Sequence, residues 1–396
     1  MSKIRAVAVL LLLVFLFTPL QASDWTLVKH GGRDYVTASN IASFYNLGKV
    51  EREGNTFRIG NGSRRLRGQV GGAEFYINAL KFILSYPAAE QNGEPMISRM
   101  DLVKLVEPVL RPSKIRNAEP IRTVILDAGH GGHDKGARSI YGNEKDYTLD
   151  VVRRCKAILE QQGYKVYLSR SGDYFVSLDD RSAFANQFSN AMFISVHFNS
   201  GQSLASGLEV FTLAPRGVPS MASDGPRMSD LVECKGNKRD AENMALATAT
   251  HAAMVGRSRL FDRGIKRARF VVIRDIGIPG VLIEGGFLSN SHDAKLIASA
   301  QYRQLMAFSI AMAVNNYQRA TTANPPPFLA KAPQVQLRDE SGAEIQPPAN
   351  GEGSEASPTP EASPEPTVEH AAPAVIPPPE STTEQPQPND TPKPEA

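Results

Sequence analysis

Val124-Ile125-Leu126-Asp127-Ala128-Gly129-His130-Gly131-Gly132 is the stretch that decides the architecture of this 396-residue chain. Its apolar opening shows no polar alternation, so both sides of the strand it predicts must be covered, as in parallel sheets flanked by helices. The run stops in a glycine-rich loop carrying a histidine. Loops beyond the carboxyl ends of parallel strands are where open α/β sheets assemble their sites. Glycines at 129, 131, 132 and 136 allow backbone geometry that other residues resist, and let the chain approach a ligand closely.

The same texture repeats downstream. A helix is predicted from about Glu144 to Gln162, with Leu149, Val152, Cys155, Ala157, Ile158 and Leu159 recurring mostly at helical spacing and Gly163 closing it. Val166 to Leu168, Met192 to His197, Leu208 to Phe211, Val271 to Ile273 and Gly280 to Glu284 read as strands. A short helix is expected near Leu178 to Gln187, and a last one from roughly Ser291 to Tyr317. The expected fold is α/β, a mainly parallel twisted sheet with helices on both faces.

Several of these strands end in a polar group. His130 follows the first, His197 ends the third and Glu284 ends the last, while Glu144 begins the helix fed by the His130 loop. Two imidazoles and one carboxylate are a standard donor set for catalytic zinc, and a second carboxylate nearby can move protons. Taken singly, each residue reads equally well as structural: a hydrogen-bonded histidine, or a glutamate placed against a helix dipole. His133 lies three residues after His130, an offset useful only on a helix, which Gly131-Gly132 opposes. Asp127 is better suited to orienting the loop or His130 than to holding a metal. His30, His251, His292 and His370 carry no such pattern.

The flanks differ in kind. Lys3 and Arg5 precede an apolar run from Ala6 to Leu20, and Ala22 is followed by polar residues. That is a secretory signal over residues 1–22, so the chain is expected to be exported to the periplasm or cell envelope, with no membrane span after its removal. Residues 24–119 read as a separate small α+β unit with a weak internal repeat, expected to assist attachment to the wall or a partner. Each copy places Thr37 or Ser98 as a helix N-cap before apolar residues at helical spacing. Pro108 to Pro120 reads as the linker to a domain at 120–320. Residues 321–396, rich in Pro and Glu, bury too little to order themselves and are expected to be a disordered tether. Net charge is +3, but this tail holds 3 basic and 12 acidic residues and so leaves +12 on the rest. A basic folded part suits an anionic polymer; without a basic–aromatic stripe or recognition motif, no nucleic acid is expected. Whether Cys155 and Cys234 pair is left open by sequence.

The motifs Leu126-Asp127-Ala128-Gly129-His130-Gly131-Gly132, Asp134, Gly136-Ala137, Glu144-Lys145, Ser195-Val196-His197-Phe198-Asn199 and Leu282-Ile283-Glu284-Gly285-Gly286-Phe287-Leu288-Ser289-Asn290 occur in order. With Asp262-Arg263-Gly264-Ile265-Lys266 they closely resemble the zinc-dependent N-acetylmuramoyl-L-alanine amidases of bacterial cell-wall turnover, from Thr123 to about Tyr317. The resemblance implies zinc held by His130, Glu144 and His197, Glu284 as the catalytic carboxylate, and peptidoglycan or muropeptides as substrate. Lys135 stands where proline is common in that family. Some related amidases are blocked by an inserted segment until a protein activator displaces it, and residues 215–240 are positioned in sequence to be such a segment or a substrate loop. The N-terminal unit loosely resembles copper-amine-oxidase-like N-terminal domains, with no copper site implied. Rival readings are a zinc peptidase acting within stem peptides and a wall-binding or activator module with a vestigial site.

Overall fold

The computed structural model describes residues 25–322 apart from Asn117 and Asp224. The expected signal, and the expected tail beyond Thr322, lie outside the described residues. The N-terminal part runs β1 (Leu27–His30), β2 (Arg33–Thr37), α1 (Ala38–Phe44), β3 (Val50–Glu53), β4 (Thr56–Gly60), β5 (Arg65–Gln69), β6 (Glu74–Ile77), β7 (Leu80–Ile83), β8 (Ala89–Gln91) and β9 (Glu94–Ser98). A helical segment at 99–110, α2, follows and widens to a π-helix over Leu102–Val106. The internal repeat reappears in the caps. The Thr37 side chain accepts from Asn40 N–H and that of Ser98 from Asp101 N–H, each satisfying a first-turn donor. Strands β4 to β6 bury Phe57, Ile59, Leu66, Phe75 and Ile77 and expose Arg58 and Arg67, the alternation of a half-buried sheet.

The second part contributes β10 (Thr123–Ala128), β11 (Arg138–Ser139), β12 (Gly142–Asn143), α3 (Glu144–Gln161), β13 (Lys165–Leu168), α4 (Leu178–Ala185), β14 (Ala191–Asn199) and β15 (Leu208–Leu213). Then come α5 (Asp240–Ser258), β16 (Asp262–Ala268), α6 (Val271–Arg274), β17 (Gly280–Phe287), α7 (Ser291–Ala298) and α8 (Ala300–Thr321). One sheet of eleven strands has the order β13-β10-β14-β17-β15-β16-β7-β6-β5-β4-β3. Strands β13, β10, β14 and β17 are parallel, as expected; β15 runs antiparallel to β17, and β16 runs parallel to β15. Alternate residues of β10 and β14 serve two cores. Val124, Leu126, Ile194 and Val196 pack with Val151, Val152 and Ile310, while Ile125 and Phe193 pack with Ala185 and Ile273. Each such side chain removed from water contributes about 1.5–3 kcal/mol.

The N-terminal strands continue this sheet. Ile265 of β16 pairs with Phe82 of β7, and Phe57, Phe75 and Leu105 join the same core as Val151, Val210 and Met306. Residues 24–119 and 120–320 therefore share a sheet and a core, and Pro108, expected in a linker, lies within α2. Arg267 of β16 reaches Asp101 of α2 at 2.8 Å, with side chains only 2% and 0% exposed. Removing one partner of a buried pair leaves the other uncompensated, at about 3–5 kcal/mol. Arg267→Met should therefore lower the denaturation midpoint of the whole chain in one transition. A separate early transition of the N-terminal part, or an unchanged midpoint, would contradict the joint core.

Three expectations are corrected. Val271 to Ile273 forms a turn of helix, with Val272 and Ile273 buried, because a three-residue apolar run does not distinguish strand from helix. The last helix is two, broken where Ser299 turns extended and its hydroxyl caps Tyr302 N–H. The 215–240 segment leaves β15 at the end opposite Glu209, which lies beside Glu284, and its Met221 N–H bonds Arg267 O. It therefore does not cover the Glu284 end of the sheet. Cys155 and Cys234 are both free thiols. Among the described residues, no helix is long and apolar enough to cross a membrane.

Candidate metal centre

The strand ends bring the four expected residues together. His197 on β14 and Glu284 on β17 are register partners, and the loop after β10 and the start of α3 supply His130 and Glu144. His130 Nε2 lies 3.1 Å from Glu144 Oε2, and His197 Nδ1 lies 2.9 Å from Glu144 Oε1. One donor atom from each of these three residues lies within 4.8 Å of the others. Glu144 is buried and also accepts from Ala137 N–H at 2.8 Å and Phe198 N–H at 3.0 Å. Burial opposes its ionisation, but the two imidazoles outweigh it and hold this carboxyl well below its ordinary range.

His130 has φ 59°, a left-handed backbone unusual for a non-glycine residue, which costs on the order of 1–3 kcal/mol unless its surroundings fix it. Two groups do. Arg181 Nη2 donates to His130 O at 2.7 Å, and Asp134 Oδ2 lies 2.8 Å from His130 Nδ1. With Nδ1–H donating to Asp134, the Nε2 lone pair is left facing Glu144. Burial works against a charged His130, yet Glu144 and Asp134 raise its pKa. Two glycines make the room. A methyl on Gly129 would lie 2.3 Å from His197 Cε1, and one on Gly136 would lie 2.5 Å from both Glu144 Oε2 and His130 Cδ2.

Glu284 completes the group in a different way. Its Oε2 is sealed from solvent and has no hydrogen-bond partner. Burial, then the neighbouring Glu144 and Glu209, push its pKa well above the usual carboxylate range. Glu209 is the register partner of Glu284 on the other side and is itself clamped by Arg263 and Lys266, the latter at 2.8 Å. Two imidazole nitrogens and a carboxylate are the donors zinc prefers, and an orphaned buried carboxylate oxygen beside them is what a reaction cavity would contain. The residues fit a zinc ion.

The other histidines stay apart. His133 is exposed and stacks on Phe175 with ring centroids 4.4 Å apart, and buried His251 meets Asp262 at 2.7 Å. His292 lies in the first turn of α7, His30 on β1, and His370 outside the described residues. Asp127 does not touch the His130 ring; it is buried between Ser169, Ser195 and Arg181, and reaches the His130 backbone only through Arg181. The carboxylate on the ring is Asp134, which sequence quoted without a role. Groups placed as Asp134 is typically contribute about 10–100-fold in metal affinity. Asp134→Asn should therefore weaken zinc retention in a chelator competition by that order. Retention equal to wild type would remove Asp134 from the account.

A family profile described as N-acetylmuramoyl-L-alanine amidase matches residues 124–316. The uncharacterized protein YqiI of Bacillus subtilis is 35% identical over 202 residues, taking in 50% of this chain and 87% of that protein. The N-acetylmuramoyl-L-alanine amidase AmiA of Escherichia coli is 30% identical over 244 residues, 56% of this chain and 84% of that protein. Among solved structures, the catalytic domain of CwlV, an N-acetylmuramoyl-L-alanine amidase from Bacillus (Paenibacillus) polymyxa, is 29% identical with a TM-score of 0.42, covering 51% of this chain and 100% of that one.

Proposed function

This chain belongs to the N-acetylmuramoyl-L-alanine amidase family, and we propose that it is an exported zinc hydrolase that cuts the amide between N-acetylmuramic acid and L-alanine in peptidoglycan. The observation that carries this reading is the convergence of His130, Glu144 and His197 beside the unpartnered Oε2 of Glu284. His130, Glu144 and His197 would hold the metal. A zinc ion there supplies Lewis-acid polarisation of the scissile carbonyl and acidifies water.

The protein's own groups supply the rest. Glu284 Oε2 takes a proton from the attacking water, whose oxygen adds to the lactyl carbonyl carbon. The C–N bond then breaks, and Glu284 returns the proton to the leaving alanine nitrogen. The raised proton affinity of Glu284, due to its burial and its acidic neighbours, suits a group that must hold a proton between the two steps. Asp134 keeps the His130 tautomer fixed, and Glu144 keeps its charge in a buried place because both imidazoles face it. The residue 1–22 signal implies action in the periplasm or cell envelope, and nothing in the chemistry requires a nucleic acid or a membrane span.

Elemental analysis tests the metal part of this reading. Protein purified without chelator should contain about one zinc per chain. Chelation should abolish muropeptide cleavage, and added zinc should restore it. Full activity in a strong chelator would overturn the assignment.

A further inference from the structure

One cross-strand row joins the metal centre to the N-terminal strands. From His197 it steps to Glu284 on β17 and to Glu209 on β15. On β16, Gly264 lies against Lys81 of β7, where a methyl would come 2.9 Å from Lys81 Cγ. The row continues through the register pairs Lys81–Tyr76, Tyr76–Arg67 and Arg67–Arg58. Register partners project from one face of a sheet. Ile265 and Phe82 turn to the buried face, so Lys266, which reaches Glu209, and Lys81 both turn to the other. At about 4.8 Å per strand, the steps from Glu284 to Arg67 span roughly 24 Å.

Charge along the row is matched except on β5. Glu209 is neutralised by Arg263 and Lys266, Glu74 by Lys81, and Arg58 pairs with Glu53 at 2.9 Å. Among the described residues Arg65 and Arg67 belong to no close ion pair; Arg67 acts on Glu74 only at a distance, helping Lys81 hold that carboxyl low. Both border an open depression of about 590 Å³, which Arg58, Tyr76 and Glu51 also line. The Arg67 guanidinium lies 4.1 Å from the centre of the Tyr76 ring, which fixes its plane and leaves its N–H edge available.

We infer that this row is an extended substrate track. Arg65 and Arg67 bind free carboxylates of a neighbouring stem peptide of the same wall polymer while the scissile amide lies at Glu284. Guanidinium forks match carboxylates with paired hydrogen bonds, and the continuity of the row with the hydrolytic end favours one polymeric substrate over an unrelated polyanion. The inference rests on the amidase reading.

The test compares the full chain with its Arg65→Glu/Arg67→Glu variant on two substrates: insoluble purified peptidoglycan, and a soluble muropeptide with a single stem, too short to span the track. Equal melting temperatures establish that both are folded. The variant should lose about tenfold or more in kcat/KM on the polymer and stay within about twofold on the muropeptide. Peptidoglycan whose carboxylates are blocked as amides should slow the wild type by a similar factor and the variant no further. Equal kinetics on both substrates, an equal loss on both, or a loss confined to binding of DNA or anionic vesicles would overturn the track. A wild type that cleaves the lactyl–alanine amide of neither substrate would instead overturn the amidase reading.

Discussion

Glu284→Gln should keep its zinc and lose turnover by a factor of ~10²–10⁴, the usual contribution of a general acid–base group. Gln has the shape of Glu and still hydrogen-bonds, so β17 and its pairing of residue 284 with His197 and Glu209 should persist. What disappears is the ability to hold a proton at Oε2, an atom with no other partner to serve. Burial and two nearby acids disfavour a charge here, so the neutral amide should not destabilise the fold, and an unchanged or raised melting temperature is expected beside the lost rate. If Glu284 only held its place in β17, the substitution would be almost silent.

Glu144→Ala should fail differently, with metal and activity falling together. Glu144 is the one charged member of the donor set and faces both imidazoles. Loss of a charged ligand removes metal affinity directly. The truncation also strands the N–H groups of Ala137 and Phe198, at about 1–3 kcal/mol for each one left buried and unsatisfied. Lower stability is therefore expected as well, and Glu144→Gln separates the two effects. It can still accept a backbone hydrogen bond but offers no charge, so the protein should be better folded than the alanine variant while zinc occupancy stays low. Full zinc occupancy in Glu144→Gln would mean that the carboxylate is not a metal donor.

The donor set was legible because each member stands at or near the carboxyl end of a buried apolar strand, or where a helix begins. His130, His197 and Glu284 could be placed at one end of a sheet before any strand order was known. The direction of β15 was not legible. Leu208 to Phe211 is as apolar as a parallel strand, and only its pairing of Glu209 with Glu284 reveals that it runs the other way. That reversal carries the 215–240 segment away from the site. β16 was missed because Asp262–Ala268 is mostly polar or glycine; it becomes a strand by filling the space between β15 and β7. Asp134 had no role assigned because any acid in a polar loop looks alike until φ 59° at His130 turns the ring toward it. The joining of the N-terminal strands to the main sheet depends on a register pair, a shared core and Arg267 finding Asp101, tertiary facts that no local pattern records.

The most direct measurement is identification of the ends released from purified peptidoglycan. The full chain is incubated with the polymer, and the products are analysed by mass spectrometry. Free lactyl groups on N-acetylmuramic acid together with stem peptides beginning at L-alanine are the predicted result, and their appearance should depend on Glu284. New termini within the stem peptide, with the lactyl–alanine amide intact, would contradict it.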